Sequence, residues 1–355
     1  MRFSKLRYFI GSEKTGVRQI FLLPRRHRKK TNLGFNLQFF TFAQIYIQMA
    51  KILVTGGAGF IGSHLVNRLV KDGNEVVVMD ILLRGNKTEK DISNSIQFIN
   101  EDVRNRDAVI KYTQGCDLIY HFAAVLGVDV VADNPVETMD TEVIGLKNIV
   151  DAALLNKVEK VIYASTSGVY GHSAIEKSVT ETIQIDPRTS YAIAKRYNEI
   201  YLKAVNEEKG LDSISLRFFN VYGRRQDNRM VVPRFIEQAL KGDPLTVFGN
   251  GQQTRDFTYV DDTVESCIRL AEKFKGSEIY NIANEDEVSI LELAETIVKI
   301  TGSKSNVSYI EAPRKRYDYE VERRYGSSGK LFSKINFKPN TKLENGLKAI
   351  LEDYL

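Results

Sequence analysis

The stretch KILVTGGAGFIGSHLVNRLVKDGNEVVVMD, residues 51–80, limits the fold of this 355-residue chain more than any other. The β-branched run KILVT meets glycines at 56, 59 and 62. A helix-periodic run follows and closes on Gly73, a candidate C-cap, before the second β-branched run EVVVMD. Glycines at a strand-to-helix junction permit a tight turn, let backbone N–H groups approach a pyrophosphate, and allow close helix-on-strand packing. The helix N-terminus adds partial positive charge at the same place. A glycine-rich loop alone is weak support for a dinucleotide site. A strand before it, an amphipathic helix after it and an acid ending the next strand make the support strong.

That acid is Asp80. A carboxylate there accepts hydrogen bonds from adenosine ribose hydroxyls and repels a 2′-phosphate, which favours NAD over NADP. The plainer reading is a turn-forming aspartate, and Arg84 close by softens the discrimination.

The alternation continues beyond residue 80. SIQFIN, CDLIYHFAA, KVIYAST and SISLRFF read as strands, separated by helical stretches such as TMDTEVIGLKNIVDAALLN. Near-continuous apolar strands are buried on both faces. The expectation is therefore an α/β fold: a Rossmann-type, doubly wound parallel sheet over residues 49–220, with ligands beyond the carboxyl ends of its strands. After Asn220 the rhythm loosens into VVPRFIEQALKGD, LTVF, EIYNIA, SILELAETIVKITG and LENGLKAILEDYL. These predict a smaller mixed α/β C-terminal lobe over 221–355, mainly for substrate.

Residues 1–48 read differently. They hold ten Lys/Arg and one Glu, so of the +5 formal charge the rest of the chain keeps 40 basic against 44 acidic residues, or −4. A mildly acidic body gives no reason to expect nucleic acid as a partner. The segment lacks a regular period, the apolar core and cleavage site of a secretory signal, and any span long enough for a bilayer. Because MAKILVTGG from Met49 is a natural domain start, we favour a mis-assigned upstream start, outside the fold, over a basic targeting segment. A mitochondrial-type presequence is the alternative, weakened by few serines. The two cysteines, Cys116 and Cys267, form no metal or redox spacing and read as core thiols of a reducing compartment, so the cytoplasm is the expected location. The four histidines are scattered, and no metal is expected.

SYAIAKRYNEIYLKAV, from Ser190, places Tyr191 and Lys195 one helical turn apart, with Cβ atoms about 5–6 Å from each other on one face. With 17 tyrosines in the chain, about one such spacing arises by chance, so the pair gains weight only from its company. That company is TGGAGFIG (Thr55 to Gly62), Asp102-Val103, HFAA (His121 to Ala124), STSGVYG (Ser165 to Gly171), RFFNVYG (Arg217 to Gly223) and Arg255-Asp256-Phe257.

With these motifs in this order, nearly everything from Lys51 to the C-terminus resembles the extended short-chain dehydrogenase/reductase family, and within it the nucleotide-sugar epimerase/dehydratase group typified by UDP-glucose 4-epimerases. The resemblance implies that Gly56, Gly59, Phe60, Ile61 and Gly62 bind the cofactor, that Asp102 and Val103 flank its adenine, and that Ala123 and Ala124 pass along its phosphates. Asn148 would lie on the helix behind the site. Tyr191 and Lys195 would be the catalytic pair, with Lys195 also holding the nicotinamide ribose. Asn220 and Arg255 would bind the substrate diphosphate. A second arginine is expected in APRKRYD; Arg314 is the candidate, with Lys315 and Arg316 left open. The helices TMDTEVIGLKNIVDAALLN and SYAIAKRYNEIYLKAV, whose apolar stripes are wider than one sheet contact requires, would pair across a two-fold axis into a homodimer.

Elementary electrostatics agrees with a catalytic role. Two unit charges 4 Å apart at an effective dielectric of about 20 interact by about 4 kcal/mol, roughly three pKa units, enough to draw a phenol from about 10 toward 7 before desolvation opposes it. Lys195 would then make Tyr191 a usable base. Thr166, ending KVIYAST, can hydrogen-bond the same sugar hydroxyl, although a strand-end threonine is the commoner reading in general.

The resemblance also implies a shared first step, oxidation of a nucleotide sugar at carbon 4. The 4,6-dehydratases of the group follow the threonine with Asp-Glu, and its decarboxylases tend to carry Glu at the second of these places. Here they are Ser167 and Gly168. Without an acid pair, the expected outcome is 4-epimerisation with NAD retained. Decarboxylation, 4,6-dehydration and 4-keto reduction are the alternatives within enzymes, and a non-catalytic NAD-binding scaffold is the alternative outside them.

Overall fold

Strands that are apolar on both faces need a layer of helices on each side, and the chain supplies them. The computed structural model describes residues 10–11, 17–21, 44–125, 127–174, 178–311 and 322–354. Seven parallel strands form the main sheet: β1 (Lys51–Thr55), β2 (Glu75–Met79), β3 (Ile96–Ile99), β4 (Leu118–His121), β5 (Lys160–Thr166), β6 (Asp212–Phe218) and β7 (Ser277–Ile282). Their spatial order is β7-β6-β5-β4-β1-β2-β3. Val54 lies opposite Val78 on one side and Tyr120 on the other. The direction of winding reverses between β1 and β4, which opens a crevice beyond their carboxyl ends.

Helices α1 (Phe60–Lys71), α2 (Arg106–Tyr112), α3 (Gly145–Asn156) and α4 (Ser190–Lys209) belong to this layer structure. Leu146 and Ile149 of α3 and Leu202 of α4 join Leu53, Val77, Ile119 and Val161 of the sheet in one buried cluster. Cys116 and Cys267 are buried free thiols, as their spacing suggested. Two termini are well specified. Thr189 caps α4 by accepting the Ala192 N–H at 3.1 Å, and Gly210, at φ +76°, ends it in the left-handed conformation that a side chain would resist. The approach to α3 is irregular: a short helix, Pro135–Met139, passes through a π-helical turn, Asp140–Ile144, before α3 begins.

One strand departs from the sequence reading. EIYNIA was expected in the smaller lobe, yet Ser277–Ile282 pairs with β6 along its length and forms the edge of the main sheet. Short apolar strands look alike wherever they pair, so periodicity carried no sign of this return. The rest of the C-terminal part forms a second buried cluster, in which Phe235 and Ile236 of α5 (Val231–Lys241), Leu293 and Ile297 of α7 (Ile290–Thr301) and Leu347 and Ile350 of α8 (Leu343–Leu351) meet Val260, the first residue of α6 (Val260–Lys273). Short pairings tie it together. Val221–Tyr222 runs beside Thr258–Tyr259, Leu245–Phe248 beside Val307–Ile310, and Thr254–Asp256 lies between Glu287–Ser289 and Arg323–Arg324.

Residues 51–355 make one compact unit and residues 1–50 another. The described strands of the latter are antiparallel: Val17–Phe21 pairs with Ile10–Gly11 and with Gln44–Gln48. No described helix is long and apolar enough to cross a membrane.

Candidate active site

The glycine turn joins β1 to α1. Gly56 sits at φ +69°, and a Cβ there would fall 2.6 Å from the Ala123 nitrogen; at Gly62 it would fall 2.1 Å from the Gly56 carbonyl oxygen. These two positions are closed to any side chain by the protein's own backbone. Gly59 differs, since a Cβ would meet only the Gly56 oxygen at 3.2 Å. It precedes α1 without a side-chain cap, so the first N–H groups of the helix, at Phe60 and Ile61, are left for an anionic oxygen. The strip after β4 is fastened across this turn. The Phe122 N–H donates to the Thr55 carbonyl at 3.0 Å and the Ala123 N–H to the Thr55 hydroxyl at 3.3 Å, with Ala124 next along the chain.

Asp80 follows β2 and accepts the Ala58 N–H at 3.0 Å and the Leu82 N–H at 2.8 Å. The turn-forming reading and the ribose reading are compatible, because a carboxylate offers about four acceptor sites and the Leu82, Ala58 and Gly59 N–H groups use three. Burial pushes its carboxyl above the usual range. Asp102, after β3, pairs with Arg104, which holds it below the usual range against the cost of burial. Val103 is buried, and its carbonyl accepts the Asn148 amide of α3 at 2.9 Å. An uncapped helix N-terminus, a glycine cradle and a partly free carboxylate at the switch point together fit a dinucleotide.

Beyond β5, Thr166 accepts the Gly168 N–H at 3.1 Å. A Cβ on Gly168 would lie 3.3 Å from the Thr166 hydroxyl oxygen and 3.9 Å from the Cβ of Ala192, the neighbour of Tyr191. Position 168 therefore borders both Thr166 and the head of α4, where an acidic side chain would reach the same space. Here that space is left open.

Tyr191 and Lys195 share a face of α4 as expected, with the Lys195 Nζ 5.3 Å from the centre of the Tyr191 ring and 4.7 Å from that of Tyr163. The expected electrostatics is corrected by a residue that the sequence reading passed over. Glu142, in the π-helical turn, lies 2.9 Å from the Lys195 ammonium, and neither side chain has any exposed surface. Lys195 also donates to the Ala164 carbonyl at 2.8 Å. With its charge compensated, Lys195 does not draw the phenol down. Burial, and after it the Glu142 carboxylate, pushes Tyr191 well above the usual tyrosine value.

A second buried network braces α4 against the sheet. Arg217 of β6 grips Glu199 through two hydrogen bonds of 2.8 Å, Ser165 donates to Glu199 at 2.6 Å, and Arg217 reaches Tyr170 at 3.0 Å. Glu199 follows Lys195 by one turn, which fixes the rotation of α4 about its axis.

Asn220 follows β6, and its carbonyl accepts the Thr258 N–H at 3.1 Å. Arg255 is buried on the central strand of its small sheet and donates to the carbonyls of Thr254 at 2.8 Å and Glu322 at 3.4 Å. Arg314, with Lys315 and Arg316, lies outside the described residues.

Comparison with known proteins agrees with this geometry. The model of the NAD dependent epimerase/dehydratase family matches residues 52–283. A UDP-N-acetyl-alpha-D-glucosaminuronate decarboxylase of Bacillus cytotoxicus is 38% identical, over 85% of this chain and 97% of that one. A putative UDP-glucose 4-epimerase of Methanocaldococcus jannaschii is 36% identical, over 84% and 97%. The crystal structure of a UDP-glucuronic acid 4-epimerase from Bacillus cereus, in complex with UDP-glucuronic acid and NAD, superposes with a TM-score of 0.78 at 31% identity, covering 86% of this chain and all of that one (100%).

Proposed function

Since this chain belongs to the NAD-dependent epimerase/dehydratase family, we propose that it is a nucleotide-sugar 4-epimerase. In this reading Tyr191 exchanges a proton with the sugar 4-hydroxyl, Thr166 hydrogen-bonds that same hydroxyl, and Lys195 holds the cofactor ribose. Asn220 and Arg255, with Arg314 as a further candidate, grip the substrate diphosphate. Bound NAD supplies the hydride acceptor at carbon 4, a hydride for the return, and a positive charge in its oxidised form. That last charge bears on Tyr191, because the charge of Lys195 is already balanced by Glu142. The transient product is a 4-keto sugar, which turns over in the site before reduction on its other face. The second copy in a homodimer would meet the outer face of α4.

One observation carries the choice of epimerisation: position 168 is glycine, bordering both Thr166 and the head of α4. No acid stands there to act on the carbon beside the ketone. A second reading is favoured by the 38% identity to a decarboxylase. If the substrate is a hexuronate, its 4-keto form is a β-keto acid, which loses carbon dioxide readily without a dedicated acid or base. The test offers purified protein two substrate types, a neutral UDP-sugar and a UDP-hexuronate, in heavy water. The epimerase reading expects a carbon-4 epimer without ring deuterium, without carbon dioxide and without net NADH. Carbon dioxide from the hexuronate sinks it in favour of decarboxylation, and deuterium at carbon 5 with loss of the 6-hydroxyl favours dehydration.

A further inference from the structure

Glu142 is a fully buried carboxylate that none of these steps uses. Its two oxygens have different partners: one accepts the Val125 N–H at 3.2 Å, on the strip that follows β4, and the other meets the Lys195 ammonium. Its backbone carbonyl accepts the Asn198 amide at 3.0 Å, so the turn that carries it is itself tied to α4. The turn is π-helical, a local widening that costs regular hydrogen bonding and tends to occur where a side chain must be placed for function.

We propose that Glu142 is a positioning residue for the Tyr191–Lys195 pair, holding Lys195 as a charged donor and locking it to the strip along which the cofactor runs. This rests on the reading of Tyr191 and Lys195 as the catalytic pair. An ammonium has three N–H groups; the Ala164 carbonyl accepts one and Glu142 is the ion-pair partner 2.9 Å away, which leaves donor capacity for a ligand hydroxyl. Burial disfavours the charged form of both partners, pushing the Glu142 carboxyl up while Lys195 draws it back, so each needs the other as counter-charge. Other ionisable groups around the pair do not provide one. From β4, His121 is hydrogen-bonded to the Thr55 hydroxyl and held neutral, its imidazole pushed down to about 3 by burial and by Lys195. From β5, the buried Tyr163 phenol is pushed up by burial, and on α4 so is the partly buried Tyr191. The next carboxylate along α4, Glu199, is taken by Arg217 and Arg196. Among the described residues, Glu142 is therefore the counter-ion that faces Lys195.

The full chain labelled with ε-13C lysine tests this by NMR, with the Lys195 signal assigned by its loss in Lys195→Arg. The Lys195 signal of the unaltered protein is compared with that of the Glu142 variants over one pH range. In Glu142→Gln its midpoint should fall by about two pH units or more, and Glu142→Asp should restore most of the difference. Turnover of Glu142→Gln should lose its alkaline limb at correspondingly lower pH. An unchanged Lys195 midpoint in Glu142→Gln overturns the proposal. If that variant does not fold, the double variant Glu142→Gln/Lys195→Met, which removes both charges, should fold again; a double variant as unfolded as the single one also overturns it. The NMR readout needs no turnover. A shifted midpoint in a protein that converts no nucleotide sugar therefore counts against the catalytic reading and not against the role of Glu142.

Discussion

Tyr191 and Lys195 were legible because a spacing of four residues on a helix is a geometric fact, but their electrostatics was not. The sequence placed a cation beside a phenol and left out the anion, since Glu142 lies in a helical-looking stretch, TMDTEVIGLKN, where a glutamate reads as a solvated side chain. Only the π-helical turn brings it inward. Tyr191→Phe should retain fold and NAD binding yet lower turnover at least about 10²-fold, the usual scale of general acid–base catalysis; steady-state assay against fluorescence titration of NAD separates the two. Gly56→Ala should do the reverse, impairing fold and cofactor together. It places a Cβ 2.6 Å from backbone atoms at a left-handed φ, and a loss of about 2–4 kcal/mol in urea unfolding is expected.

Helix α4 concentrates the consequences at the next scale. Its inner face carries Lys195, Asn198 and Glu199, while Ile193, Tyr197 and Ile200, spaced by four and three residues, are all about half exposed on its outer face. An apolar stripe of this kind on one helix supports the proposed homodimer. Ile200→Glu with Tyr197→Glu should leave a monomer in sedimentation while the helix stays formed. Thr189→Ala removes the one side-chain cap of α4 and should cost about 1 kcal/mol in denaturant unfolding. The elements of the main sheet up to β6 were readable because each is a β-branched run followed by a helical period. β7 was not, because only its partner distinguishes an edge strand of the main sheet from a strand of the smaller lobe.

For the whole molecule, the expected division into a cofactor half at 49–220 and a substrate half at 221–355 is a proposal about ligands, whereas the structure is one compact unit from Lys51 onward. A chain starting at Met49 contains all seven strands and should fold and bind NAD; loss of soluble protein on that truncation would show that residues 1–48 contribute. Asp256, buried in the C-terminal part, adds a pH dependence. Burial pushes its carboxyl up to about 7, despite hydrogen bonds from the Asn284 and Glu285 N–H groups. Because the folded value is raised above the unfolded one, near 3.8, the folded state holds this proton longer. Its contribution to stability is complete below about pH 4 and is lost as pH rises through about 7. Urea midpoints between pH 4 and 8 should therefore fall more steeply for the unaltered protein than for Asp256→Asn.

The late position of β7 has a consequence during synthesis. Some 60 residues separate the end of β6 at Phe218 from Ser277, so at ~5–20 residues per second the β6 edge waits roughly 3–12 seconds for its partner. For that interval an apolar parallel strand stands with its hydrogen-bonding edge open, and two nascent chains on one messenger could pair there with each other. Growth of this protein on the ribosome should therefore depend on a chaperone that covers the open edge, and a ribosome stalled near residue 250 should present its most aggregation-prone form.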